Sequence, residues 1–227
     1  MFDPSLLGRM AFTFAHASPS DPPLPPGRHR LGVAGERDAV LYVPEGIQVN
    51  APVPLWIMFH GAGGFPEKVL PFIEPHADAH KFLILAPPST FPTWDIVIGG
   101  NGPDLQQLHR ALAVVGARYP IRRDRLAFAG FSDGASYALS IGITNGDIAS
   151  HVIAFSGGFM SVFMQEGTPR VFIAHGSSDE QLPVQTSGRT HATRLKAAGY
   201  DVEYVEFDGP HAIQPAVVGE AIRFFLA

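Results

Sequence analysis

The stretch Leu126-Ala127-Phe128-Ala129-Gly130-Phe131-Ser132-Asp133-Gly134-Ala135-Ser136 constrains the fold of this chain more than any other. An apolar run suited to a buried strand passes into Gly-x-Ser-x-Gly and then, with no loop between, into small residues compatible with a helix. So tight a turn forces its central residue toward unusual backbone angles, and the flanking glycines remove side chains that would collide across it. Ser132 is thereby the candidate nucleophile. Its hydroxyl projects from a strand end, and the following helix turns its positive end and free amides toward the space where an attacked carbonyl gains charge. Alone, the five-residue pattern fits a glycine-rich surface turn equally well.

The rest of the chain alternates in the same way. Short apolar runs at 39–43, 54–59, 82–86, 151–155, 170–174 and 201–207 are separated by segments with helical character at 66–80, 103–119, 187–198 and 215–225, and a helix follows Ser132 to 143. The expectation is an α/β fold: a mostly parallel central sheet flanked by helices on both faces, with ligands bound beyond the carboxyl ends of the strands. A chain of 227 residues suits a single domain over 1–227. Only 156–168 intervene after the run ending at Phe155, too few for a large cap domain. Residues 18–27 are proline-rich and read as a rigid, extended surface connection.

Composition removes several function classes. With 46% hydrophobic and 16% charged residues the chain is suited to a packed core. A net charge of −5 with scattered signs offers no basic stripe for nucleic acid, and no apolar run reaches the length of a membrane span. The start at Met1-Phe2-Asp3 has no leader pattern, so the expected location is cytoplasmic. The absence of cysteine excludes a thiolate nucleophile. His76 and His80 lie one helical turn apart, but His-Ala-Asp-Ala-His lacks the glutamate a zinc hydrolase uses as base, so no metal site is expected. Gly61-Ala62-Gly63-Gly64 and the glycines at 99, 100 and 102 match no nucleotide-binding loop, and no cofactor is implied.

A serine hydroxyl needs a base, and the base needs an acid to orient it. Four separated segments supply these parts in order: His60-Gly61-Ala62-Gly63-Gly64, the serine turn, Ala174-His175-Gly176-Ser177-Ser178-Asp179-Glu180-Gln181-Leu182-Pro183, and Phe207-Asp208-Gly209-Pro210-His211-Ala212-Ile213. Through them the chain, from about Val40 onward, resembles the α/β-hydrolase family. Within it the similarity is to the small cap-less carboxylesterase, phospholipase-like and polyhydroxyalkanoate-depolymerase-like members. The resemblance implies a Ser132, Asp179 and His211 triad, with Glu180 and Asp208 as fallback acids, and oxyanion donors at the Ala62 and Asp133 amides. The family's Gly-His stands here as Gly-Pro-His. His60 and His175 are read as supports of their loops.

Phe65, Trp94, Phe131 and Phe159, with Met160, Phe163 and Met164, are the candidates for an apolar acyl site. The 159–164 segment is alternatively a homodimer contact. The expected activity is hydrolysis of small-molecule carboxylic esters of short or medium acyl chain through an acyl-enzyme on Ser132. An acyltransferase or peptidase would use the same residues, and a non-catalytic ligand-binding protein of this fold would show a damaged triad.

Overall fold

The computed structural model describes residues 4–14, 19–100 and 102–227. Met1 to Asp3, the start that shows no leader pattern, Ser18 at the start of the proline-rich stretch, and Asn101 lie outside the described residues. Among the described residues eight strands form one sheet: β1 (Gly27–Arg30), β2 (Val40–Val43), β3 (Val53–Phe59), β4 (Leu83–Ala86), β5 (Ile121–Phe131), β6 (His151–Phe155), β7 (Arg170–Gly176) and β8 (Val202–Phe207). Their spatial order is β1-β2-β4-β3-β5-β6-β7-β8, with the first two pairings antiparallel and all others parallel. The expected mostly parallel sheet is what the chain forms. Among the described residues five α-helices cover it: α1 (Pro66–His80), α2 (Pro103–Arg118), α3 (Asp133–Thr144), α4 (Gly188–Ala197) and α5 (Pro215–Leu226).

The centre of the sheet is buried on both faces, which explains why its strands read as continuous apolar runs and not as alternating ones. Leu55 through Phe59 of β3 and Leu126 through Ala129 of β5 are fully inaccessible. On one face Trp56, Met58, Ala127 and Phe172 pack with Val69, Leu70 and Ile73 of α1 and with Val218, Ile222 and Phe225 of α5. On the other, Ile57, Phe59 and Phe128 meet Leu108 and Leu112 of α2 and Tyr137 and Ile141 of α3. Leu195 of α4 joins Leu139 and Ile143 of α3 in a third cluster.

Two features depart from the sequence expectation. Gly27, assigned to the proline-rich connection, instead opens β1, paired antiparallel with Val43. Strand β5 begins five residues earlier than its apolar run, because Ile121 pairs with Val53 and the charged residues 122–125 bulge outward before Leu126 pairs with Leu55. Helix α1 runs through Pro71 and Pro75, each of which removes a backbone donor. Burial of Val69, Leu70, Ile73 and Ala77 on either side keeps the helix continuous.

The proline-rich stretch is fastened to the end of α2, where Leu24 N–H donates to Tyr119 Oη at 2.9 Å and Asp21 N–H to Ala117 O at 2.9 Å. Residues 156–169 carry no helix, and among the described residues no large cap covers the carboxyl ends of the strands. Among the described residues no helix is long and apolar enough to cross a membrane.

Candidate active site

Strand register decides which loops meet. Phe59 pairs with Gly130, Phe131 with Phe155, Phe155 with Ala174, and Gly176 with Phe207. The carboxyl ends of β3, β5, β7 and β8 therefore lie level, and the loops bearing residues 60–64, Ser132, Asp179 and His211 all leave from them.

Ser132 is the single residue between β5 and α3 and holds φ 56°, ψ −122°, a region that non-glycine residues avoid. Its N–H is anchored to Phe155 O at 2.9 Å, and its carbonyl begins the helix by accepting from Ala135 and Ser136. The two glycines are required for different reasons. A Cβ on Gly130 would stand 2.1 Å from Gly134 O, across the turn itself. On Gly134 it would stand 2.2 Å from Phe59 O, in the neighbouring strand. The turn is thus wedged against β3, with Gly61 approaching so closely that a Cβ there would lie 3.3 Å from that of Ser132.

Asp179 is buried and fully committed. Its Oδ2 accepts from His211 Nδ1 at 2.6 Å, and its Oδ1 accepts from the Gln181 and Leu182 amides at 3.0 and 2.8 Å. Burial alone would raise its pKa, but the hydrogen bonds from Leu182, His211 and Gln181 outweigh it and hold the carboxyl below its ordinary value. A carboxylate accepts only, so His211 carries its proton on Nδ1 and leaves the Nε2 lone pair free to act as a base. The imidazole packs on the Phe131 ring at 4.8 Å. Among the described residues no hydrogen bond joins Ser132 Oγ to His211, an open geometry common before substrate binds. Glu180 is exposed, and neither it nor Asp208 bonds His211.

The glycine-rich loop after β3 is held from several sides. Ser89 N–H donates to His60 Nε2 at 3.3 Å, so His60 carries its proton on Nδ1 and donates to Gly61 O at 2.8 Å. Burial keeps this imidazole neutral by lowering its pKa. Gly63 N–H bonds Pro92 O at 2.7 Å, and Arg37 donates to Gly64 O at 2.7 Å and to Phe91 O at 3.2 Å. Among the described residues the Ala62 and Asp133 amides donate to no protein acceptor. Thr93 Oγ1 donates to Asp133 Oδ2 at 2.6 Å.

A cavity of about 400 Å³ opens between this loop and His211, walled by Val69 and Phe72 of α1, Phe131, Ala212 and Ile213, with Lys68 at its edge. The aromatic candidates divide. Phe131 lines the cavity. Phe65 sits at the start of α1, 41% exposed, and faces a neighbouring depression with Arg30 and Arg37. Phe159 is partly buried, its N–H 3.3 Å from Ser136 Oγ, and is not among the cavity walls. Trp94 is not a surface group at all: it is 1% exposed, stacks on Tyr137 at 4.6 Å and donates Nε1–H to His60 O at 2.8 Å. It belongs to the core beneath the loop because the only polar atom of its indole finds its acceptor there.

Val69, Phe72 and Ile213 had no motif to reveal them, although their nearness in sequence to the glycine-rich loop and to His211 was a usable signal. Arg37 and Thr93 had none. Among the described residues no group of three or more histidine, aspartate or glutamate side chains is gathered to hold a metal ion.

A family model described as phospholipase/carboxylesterase matches residues 103–227, which include Ser132, Asp179 and His211. Comparison with curated proteins finds no match. Among solved structures, an S-formylglutathione hydrolase from Staphylococcus aureus superposes with a TM-score of 0.69 at 16% identity, over 88% of this chain and 97% of that one. A phospholipase/carboxylesterase from Dyadobacter fermentans gives 0.61 at 24% identity over 88% and 98%. A carboxylesterase from Bacillus cereus gives 0.65 at 17% over 84% and 94%. At these identities the likeness is one of fold.

Proposed function

The chain belongs to the phospholipase/carboxylesterase family and is a carboxylic ester hydrolase, and on that premise we propose that Ser132, His211 and Asp179 are its catalytic triad. The observation that carries the assignment is the 2.6 Å contact of His211 Nδ1 with the ionised Asp179, at the same sheet edge as a serine held at φ 56°.

His211 Nε2 takes the Ser132 proton as Oγ bonds to the ester carbonyl carbon, and the carbonyl oxygen becomes an oxyanion. The Ala62 and Asp133 amides receive that charge; each such donor is worth on the order of 10²–10³ in turnover. The tetrahedral intermediate collapses, the carbon–oxygen bond to the alcohol breaks, and His211 returns the proton to the leaving oxygen. Water, deprotonated by the same imidazole, then releases the acid and restores Ser132. Asp179 stays ionised throughout and holds the imidazole in its Nδ1–H tautomer.

The substrate is a small-molecule ester. A cavity of about 400 Å³ with an apolar wall supports an acyl group of short or medium length, since it sits near the lower end of the ~300–1,000 Å³ range of ligand pockets. Phe131 belongs to that wall in this reading.

The test is hydrolysis of 4-nitrophenyl esters from acetate to long acyl chains by the protein and by Ser132→Ala. Loss of turnover in the variant with retained fold, and an optimum at short or medium chains, is the expected result. Full activity in Ser132→Ala would remove the assignment.

A further inference from the structure

Asp179 Oδ2 faces a second imidazole. His175, on β7, places Nε2 3.2 Å from Asp179 Oδ2, and both side chains are fully inaccessible. The same nitrogen lies 2.7 Å from Leu182 O. A carbonyl oxygen only accepts, so Nε2 carries the proton. The other ring nitrogen, Nδ1, is buried with no hydrogen-bond partner. Gly188 closes that side, since a Cβ on it would come within 2.9 Å of Nδ1. A hydrogen on Nδ1 would therefore be a buried donor without an acceptor. His175 gives its Nε2–H to Leu182 O, beside Asp179 Oδ2.

We infer that His175 is a positioning residue for the proposed triad, holding Asp179 in the orientation from which it aligns His211. The inference rests on the triad reading above. The geometry links the two through Leu182: Leu182 N–H bonds Asp179 Oδ1 at 2.8 Å, Leu182 O receives His175 Nε2–H at 2.7 Å, and that nitrogen stands 3.2 Å from Oδ2. The segment that carries Asp179 is thereby tied to β7 through Leu182. A role confined to packing the 176–183 loop would not depend on a donor at the Nε2 position. The ionisable groups whose fields reach His175 are Asp179 in the loop, His191 of α4, and Glu206 of β8, itself paired with Arg189.

Two variants separate these roles. His175→Leu removes the donor; His175→Gln keeps an amide N–H that reaches about as far as Nε2. With a 4-nitrophenyl ester, His175→Leu is expected to lower kcat by about 10–100-fold with little change in KM, the scale of a small misalignment of a catalytic group. The acid limb of the kcat/KM profile moves to higher pH, because a carboxylate without the His175 N–H dipole 3.2 Å away stabilises positive charge beside it more strongly. The low-field proton resonance of His211 Nδ1–H shifts with it. His175→Gln restores most of the turnover and the resonance. Should His175→Leu fail to fold, His175→Asn takes its place, since its amide ends near the position of Nδ1 and falls short of Oδ2. Unchanged kcat and acid limb in His175→Leu, or equal losses in Leu and Gln variants that merely follow their thermal stability, would overturn the inference. Those outcomes leave the triad standing so long as Ser132→Ala is inactive; an active Ser132→Ala removes the triad itself.

Discussion

Trp94 Nε1 donates to the His60 carbonyl at 2.8 Å, tying the core of the molecule to the first residue of the loop that faces Ser132. Trp94 is held in turn by its stack on Tyr137 and by the edge of Phe59 at 5.1 Å. The position of the glycine-rich loop is therefore set from below, by aromatic packing, as well as by its own turn.

Trp94→Phe leaves the buried His60 carbonyl without this donor. The expected cost is about 1–3 kcal/mol of stability, together with a fall in kcat that exceeds any change in KM, because an oxyanion donor displaced by a fraction of an ångström acts mainly on the transition state. Urea denaturation alongside steady-state ester hydrolysis measures both.

Arg37 clamps the same loop from the solvent side through Gly64 O and Phe91 O. Being exposed, it contributes little to global stability. Arg37→Ala is expected to lower kcat several-fold with an unchanged melting temperature, and a variant with wild-type kcat would show that the loop holds its place without the clamp.

Gly134→Ala drives a methyl group into Phe59 O at the end of the adjoining strand and His60 O at the start of its loop, at 2.2 and 2.5 Å. Neither backbone atom can yield without displacing β3. Expression of this variant in the insoluble fraction, or a loss of more than about 4 kcal/mol by denaturation, is the expected outcome. A soluble protein of normal stability would contradict the packing described.

Phe72 walls the cavity from α1 and is 42% exposed. Phe72→Ala lengthens the space available to an acyl chain at small cost to stability. The chain-length optimum for 4-nitrophenyl esters should move upward by a few carbons; an unmoved optimum would place the acyl group elsewhere.

Two buried groups impose opposite pH dependences. Burial and the neighbouring charge of Asp104 raise Asp95 from 3.8 to about 6. The folded state then binds this proton more tightly than the unfolded chain, and stability from this group is lost as pH rises from about 4 to 6. Burial, with repulsion from Arg170 and Arg125, lowers His151 from 6.5 to about 4, so its contribution is lost as pH falls through the same window. Asp95→Asn keeps an oxygen for the Gly102 and Asp104 amides and removes the first effect. Its stability should rise more steeply than wild type between pH 4 and 6, gaining on the order of 2 kcal/mol at pH 7. Denaturation at a series of pH values decides this, and parallel wild-type and variant curves would exclude the raised Asp95.

What the sequence determined by itself lay within short stretches of chain. The alternation of apolar runs with helical spacing specified an α/β sheet, and the passage from Leu126 to Ser136 specified a strand, a strained turn and a helix, because burial and turn geometry are written in neighbours a few residues apart. The His-Gly and Gly-Pro-His segments were legible for the same reason. Tertiary structure alone decided which of these meet and what stands between them. Nothing local to Trp94 says that its indole finds its acceptor at His60 O, and nothing local to Arg37 says that it reaches Gly64. The placement of His175 against Asp179 was open to local reading as a loop support, yet its contact with Oδ2 depends on how residues 176–183 fold back. Contacts of that kind follow from strand order and register across the whole sheet, and register is fixed by the packing of the entire core. The bulge at 122–125, the helix carried through Pro71 and Pro75, and the cavity wall of Val69, Phe72 and Ile213 are consequences of that packing.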